Sequence, residues 1–113
     1  MTWLLALALL HGSAALADGY STRLWESRCA YCHEEPLERW AIGARPTWER
    51  MAPAGTAEVV AAWALGRELR RHPRTRHVWW LPQALAIGAH TGMTVANWVN
   101  WGGQRTPIRG RLP

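Results

Sequence analysis

The sequence contains no lysine, no phenylalanine and only two cysteines among its 113 residues. It has no internal repeat and no pair of alternating apolar runs joined by a convincing hairpin turn, which argues against a repeat array and an antiparallel sheet. It also lacks paired carboxylates in a motif, a nucleophile beside a base, and a phosphate-binding loop. These absences predict an all-α protein that is not an enzyme.

The longest apolar run is at the N-terminus, from Trp3 to Leu10, and small residues ending in Ala15-Leu16-Ala17 follow it. This order is typical of a secretory signal, although no lysine or arginine precedes the run. The run is shorter than the ~20 residues that a membrane-spanning helix needs. We therefore predict cleavage after Ala17, export to the periplasm and no stable membrane span. An uncleaved membrane tether is the alternative.

Because the chain has no lysine, arginine carries all of the positive side-chain charge, and the formal net charge is +5. A basic surface favours an acidic protein partner or anionic lipid headgroups. The arginines could equally form an ordinary solvated face. Nucleic acid is not expected as a partner of an exported protein.

The two cysteines belong to the string Cys29-Ala30-Tyr31-Cys32-His33, which has the Cys-x-x-Cys-His spacing of covalent haem attachment. Two thiols can form thioether bonds with the haem vinyl groups, and the adjacent imidazole can bind the iron. A redox disulfide is the first alternative, but no strand of a βαβ unit precedes the motif. A zinc site is the second, and it would need a fourth ligand from His72, His77 or His90.

With this motif behind an export signal, the chain resembles the small monohaem c-type cytochromes. The resemblance implies an all-α, cytochrome c-like domain around one covalently attached haem c, which carries single electrons between redox proteins. Residues 18–71 would form the haem core after the signal peptide at 1–17, and residues 72–113 would complete or decorate the same domain. One alternative is a haem-bearing subunit or docking module of a larger periplasmic oxidoreductase. Another is a haem-free zinc or dithiol protein.

The resemblance also implies roles for individual residues. Cys29 and Cys32 would hold the haem, and His33 would be the proximal axial ligand. In these cytochromes a methionine shortly before the terminal helix commonly supplies the second axial ligand, and Met51 has that position. The alternatives are Met93, His90, a further histidine or an open position, and a methionine can also simply fill a core. Trp48 and Arg45 are candidate contacts to the haem edge or a propionate.

Helical periodicity predicts a helix over 20–33 that leads into the motif and a longer one over 57–71 with Thr56 as its N-cap. Pro46 is expected to open a short helix over 47–51, which Pro53 and Gly55 would end. Two more short helices are predicted over 81–87 and 94–101. Gly66 would permit the close approach of another helix.

Overall fold

The computed structural model describes residues 2–28, 40, 42, 43 and 45–103. Three long helices account for most of them: α1 (Thr2–Arg28), α2 (Trp48–Arg71) and α3 (Leu81–Gly103), with a 3-10 turn at Arg76–Val78. Helix α2 runs antiparallel to α1, and α3 runs parallel to α1. The part of the chain described here contains no strand, so the all-α prediction is confirmed.

Helix α1 begins at Thr2 rather than near residue 20, and it continues without a break through Ala17 and Asp18. By length and composition this helix could cross a membrane, a test that signal sequences also pass. Its apolar side chains point mostly outward, since Leu5, Leu9 and Leu16 are exposed. The face toward the other helices instead includes the buried side chains of Leu4 and His11.

Helix α2 is one continuous element, so the predicted break at Pro53 and Gly55 is wrong. Pro53 lies near the N-terminus of the helix, where its missing N–H removes only one backbone hydrogen bond. Thr47, not Thr56, is the N-cap residue. The Thr56 hydroxyl donates instead to the carbonyl of Ala52, one turn earlier in the same helix, at 2.8 Å.

Helix α3 is also continuous, where two short helices were expected. Each glycine inside it costs about 1 kcal/mol of helix propensity. Contacts with α1 offset this cost, because the Asn97 amide donates to the hydroxyls of Ser21 and Thr22 at 3.0 and 3.1 Å. Tertiary packing therefore decides the length of α3.

The helices are close together at the end of the bundle that holds Leu4. A Cβ on Gly66 would lie 2.7 Å from the Trp79 carbonyl oxygen and 3.3 Å from the Leu4 side chain. Gly66 thus permits the close approach of the backbone that precedes α3 and of the Leu4 side chain on helix α1. At this point α1, α2 and the backbone that leads into α3 are in close contact.

Candidate functional site

The interface between the three helices is polar at its centre. His11 on α1 and Gln83 on α3 are both fully buried, and the His11 Nδ1 atom lies 2.6 Å from the Gln83 Oε1 atom. About two helical turns further along both helices, His90 on α3 lies beside Asp18 on α1, with 2.8 Å between Nδ1 and Oδ2. Glu58 on α2 faces both histidines. Five polar side chains from three helices thus form one cluster, which we call the polar cluster.

Glu58 joins the two histidines through its carboxylate. One oxygen is 3.4 Å from the Nε2 atom of His11, and the other is 3.2 Å from the Nε2 atom of His90. The two imidazole rings lie 5.6 Å apart between centroids. His11, Glu58 and His90 could therefore hold a metal ion, since each offers a ligand atom within 4.8 Å of the others.

The two histidines differ in the hydrogen bonds that their ring nitrogens make. The hydrogen bond to Asp18 raises the pKa of His90, and the nearby Glu58 carboxylate acts in the same direction, against the opposing effect of burial. The His11 Nε2 atom is buried and makes no hydrogen bond. The buried Oδ1 atom of Asp18 also lacks a partner. Unsatisfied buried atoms of this kind are uncommon in folded proteins and call for an explanation.

A cavity of about 300 Å³ adjoins the polar cluster on the side toward the C-terminal end of α1. Its wall is mainly apolar and includes small residues of α1 and α2. Three residues predicted from the sequence as candidate second ligands of a haem iron line it: Met51, Met93 and His90. They come from α2 and α3, and only the tertiary structure brings them together.

Of the other residues that the sequence predicts for the site, two lie near this cavity and three lie outside the described residues. Trp48 is one turn before Met51, and its ring packs where a Cβ of Gly19 would be 3.3 Å away. The Arg45 guanidinium donates to the carbonyl of Glu26 at the end of α1, at 2.7 Å. Neither residue belongs to the described cavity wall. Cys29, Cys32 and His33 lie outside the described residues, so their haem-binding role stays a prediction.

The remaining histidines considered as zinc ligands lie elsewhere. His72 is exposed and pairs with Glu68 on its own helix, with 3.2 Å between Nε2 and Oε1. His77 is exposed beyond α2, where its carbonyl accepts a hydrogen bond from the Trp80 indole at 3.0 Å. Neither histidine belongs to the polar cluster.

Sequence reasoning missed His11, Asp18, Glu58 and Gln83 as site residues. His11 was assigned to a signal peptide, and Glu58 was interpreted only as a charge in the first turn of a helix. One signal was present: His11 and Asp18 are seven residues apart on α1, as Gln83 and His90 are on α3. A seven-residue spacing places polar side chains on one helix face, here within largely apolar helices.

No protein-family model, no curated protein and no solved structure matches this chain.

Proposed function

We propose that this protein is an exported monohaem c-type cytochrome that carries single electrons. The observation that supports this most directly is the cavity lined by Met51 and Met93, found in a chain that also has the Cys-x-x-Cys-His spacing. The motif begins immediately after Arg28, the last residue of α1. The first residue after the motif that lines the cavity is Ile42.

The cavity has a mainly apolar wall and offers methionine sulfur atoms as donors, and the side chains of Asp18, Glu58 and His90 form its polar part. Its volume of about 300 Å³ is at the lower end of the range for cofactor sites, and its wall is mainly apolar. Gly19, Ala54 and Gly55 leave the wall without bulky side chains along one side. Methionine sulfur is an established axial ligand of c-type haem. The described residues are therefore compatible with the group that the motif implies.

Within this proposal the chain positions and tunes the cofactor. A bound haem iron supplies the one-electron oxidation and reduction. Cys29 and Cys32 would hold the haem covalently, and His33 would bind its iron. Met51 is the preferred second ligand because its side chain is half-buried, with the sulfur 3.8 Å from the Cβ position of Gly19.

His90 is the weaker choice among the residues that line the cavity. Both of its ring nitrogens lie within hydrogen-bond distance of carboxylates, at 2.8 Å from Asp18 and 3.2 Å from Glu58. Axial binding would require at least one of the two bonds to break.

The test is to produce the full chain together with a haem-attachment system and to record a pyridine-haemochrome spectrum. A spectrum of thioether-linked haem is expected, and absence of covalent haem would refute the proposal. Met51→Leu and Met93→Leu are then a matched pair for the second ligand. The sulfur-to-iron charge-transfer band of the ferric protein should disappear in the first variant and persist in the second. The reverse result would assign the ligand to Met93.

A second candidate function is supported by the outer surface of the bundle. Large apolar side chains are exposed along α1 and α3, among them Leu9, Leu16, Leu85, Val95 and Val99. Extended exposed apolar surface commonly marks a protein or membrane contact. As a haem-bearing subunit of a larger oxidoreductase, the chain would co-purify in a large complex. As a free carrier, it would elute from gel filtration as a small monomer. Its net charge of +5 would then favour an acidic redox partner.

A further inference from the structure

We propose that His11, Glu58 and His90 bind a divalent transition-metal ion, with Zn²⁺ as the representative ion. This site is additional to the haem of the proposed function. It uses no residue of the Cys-x-x-Cys-His motif, and its ligands come from three different helices.

The spacing of the donor atoms suits a small metal ion. In tetrahedral coordination with bonds of about 2.0–2.1 Å, neighbouring ligand atoms are about 3.3 Å apart. The Glu58 Oε1 atom is 3.4 Å from the His11 Nε2 atom, and its Oε2 atom is 3.2 Å from the His90 Nε2 atom. One ligand atom from each of the three residues lies within 4.8 Å of the other two, so a small rearrangement of the side chains would bring them to the metal. Two histidines and one glutamate form a ligand set that zinc sites use when one position remains open.

In a metal-binding histidine, the ring nitrogen that does not bind the metal usually donates a hydrogen bond to an acceptor. Both histidines of the polar cluster have such an acceptor beside Nδ1. The Nδ1 atom of His90 lies 2.8 Å from the Asp18 carboxylate, and the Nδ1 atom of His11 lies 2.6 Å from the Gln83 amide oxygen. An acceptor at Nδ1 keeps the proton on that nitrogen and leaves the Nε2 lone pair for the metal. Both Nε2 atoms lie within 3.4 Å of the Glu58 carboxylate, so the two outer contacts leave the nitrogens nearest Glu58 available for a metal.

A metal would also explain an atom that the protein leaves without a partner. His11 is fully buried, yet its Nε2 atom makes no hydrogen bond. A lone pair buried in this way costs free energy unless something binds it. Glu58 is 48% exposed and lines the cavity together with His90. The open coordination position would therefore face the cavity.

The inference requires the chain to keep residues 1–17. Cleavage after Ala17 would remove His11 and would leave the fully buried Gln83 without its hydrogen-bond partner. The predicted signal cleavage and this metal site therefore cannot occur in the same molecule. Retention of the N-terminal residues is part of the proposal.

The experiment is a Zn²⁺ titration of the metal-stripped full chain by calorimetry at about pH 8, where an ordinary histidine is neutral. One Zn²⁺ per chain is expected. His11→Gln and Glu58→Gln should weaken binding by more than about 100-fold, and Asp18→Asn should weaken it by about 10- to 100-fold, as expected for an outer contact. Circular dichroism checks that each variant keeps its helices. Glu58→Gln remains informative if His11→Gln does not fold, because the Glu58 side chain is half exposed.

The matched control is a second histidine–glutamate pair with the same atom spacing. The His72 Nε2 atom is 3.2 Å from the Glu68 Oε1 atom, but both side chains are exposed. Among the described residues, no third histidine, cysteine or carboxylate completes a metal site with them. His72→Gln should leave Zn²⁺ binding unchanged. Equal binding by His11→Gln and His72→Gln would overturn the proposal, as would a full chain without Zn²⁺ or an exported protein whose mass begins at Asp18.

The haem proposal and the metal proposal can each be refuted without refuting the other. In the haem-loaded chain both motif thiols are consumed, so they do not compete for Zn²⁺. If no haem is attached, the titration uses the full chain with Cys29→Ser and Cys32→Ser. Zn²⁺ binding by that chain supports the metal site even if the haem proposal has failed.

Discussion

The two ends of the helical bundle are built on different principles. At the end that holds Leu4, a glycine on α2 allows the Trp79 backbone to pack against the helix. At the end that holds Arg28, the three helices leave a cavity lined by small residues and two methionines. We call these the closed end and the open end. The comparison indicates that backbone contact can hold the helices together at one end while the other part of the bundle leaves a cavity.

The strongest test of the open end is removal of the thiols. Cys29→Ser combined with Cys32→Ser should abolish covalent haem completely, because both thioether bonds are lost. Haem staining of a denaturing gel measures this result. Zn²⁺ affinity serves as the control and should change less than about 10-fold, since the motif supplies no ligand of the polar cluster. A haem band that survives both substitutions would show that the motif is not the attachment site.

Removal of the closed end should have the next largest effect. A chain that starts at Asp18, exported behind a foreign cleavable signal, loses Leu4 and His11 from the interface. We expect its free energy of unfolding to fall by at least about 3 kcal/mol, since loss of even one buried leucine side chain costs 2–5 kcal/mol. Urea unfolding followed by circular dichroism measures the change. An unaltered midpoint would mean that the first half of α1 contributes nothing to the fold.

A single methyl group should disturb the closed end. Gly66→Ala is expected to destabilise the protein by about 1–3 kcal/mol, because its Cβ would lie 2.7 Å from a backbone oxygen that cannot easily move. Gly88→Ala is the control: no atom lies within 4 Å of its Cβ position, so the gain in helix propensity of up to about 1 kcal/mol should dominate. Thermal unfolding of the two variants should shift in opposite directions.

The smallest effect is expected beside the open end. Glu26 is only 2% exposed and neither of its carboxylate oxygens has a hydrogen bond. Burial raises the pKa of this carboxyl, against the attraction of Arg45 and Arg23. Its contribution to stability is thus greatest at low pH and is lost as the pH rises from the unfolded-state pKa through the folded-state pKa.

Glu26→Gln should therefore stabilise the protein at neutral pH and do so less below pH 4.5, where the wild-type carboxyl is already largely neutral. Denaturant unfolding at both pH values measures this difference. A variant that is less stable than the wild type at neutral pH would show that the ion pair with the two arginines outweighs the cost of burial.

Particular residues show how far sequence reasoning reached. Helical periodicity and the lack of hairpin signals predicted an all-α chain, which is confirmed. Helix ends were less accurate: Pro53 and the glycines of α3 were expected to interrupt helices that are in fact continuous. Local propensity costs of about 1 kcal/mol per glycine are easily outweighed by contacts between helices, which a single-segment pattern does not contain.

Among the candidate ligands, sequence comparison with the cytochromes named Met51, Met93 and His90 separately. It gave no reason to expect all three in one cavity wall, because they are contributed by two helices that are separate in the chain. His11 was assigned to the signal peptide for its apolar neighbours. Those neighbours face outward, and only the packing of α1 shows that the histidine faces inward.

The sequence by itself determined the features that depend on near neighbours. These are the all-α class, the apolar N-terminal segment, the basic charge and the Cys-x-x-Cys-His spacing on which the haem proposal rests. The tertiary structure alone decided the cavity and the polar cluster, whose members His11, Glu58 and His90 lie far apart in the chain. The physical reason is that a motif's chemistry depends on spacing along the backbone, whereas a site between helices depends on which faces pack together.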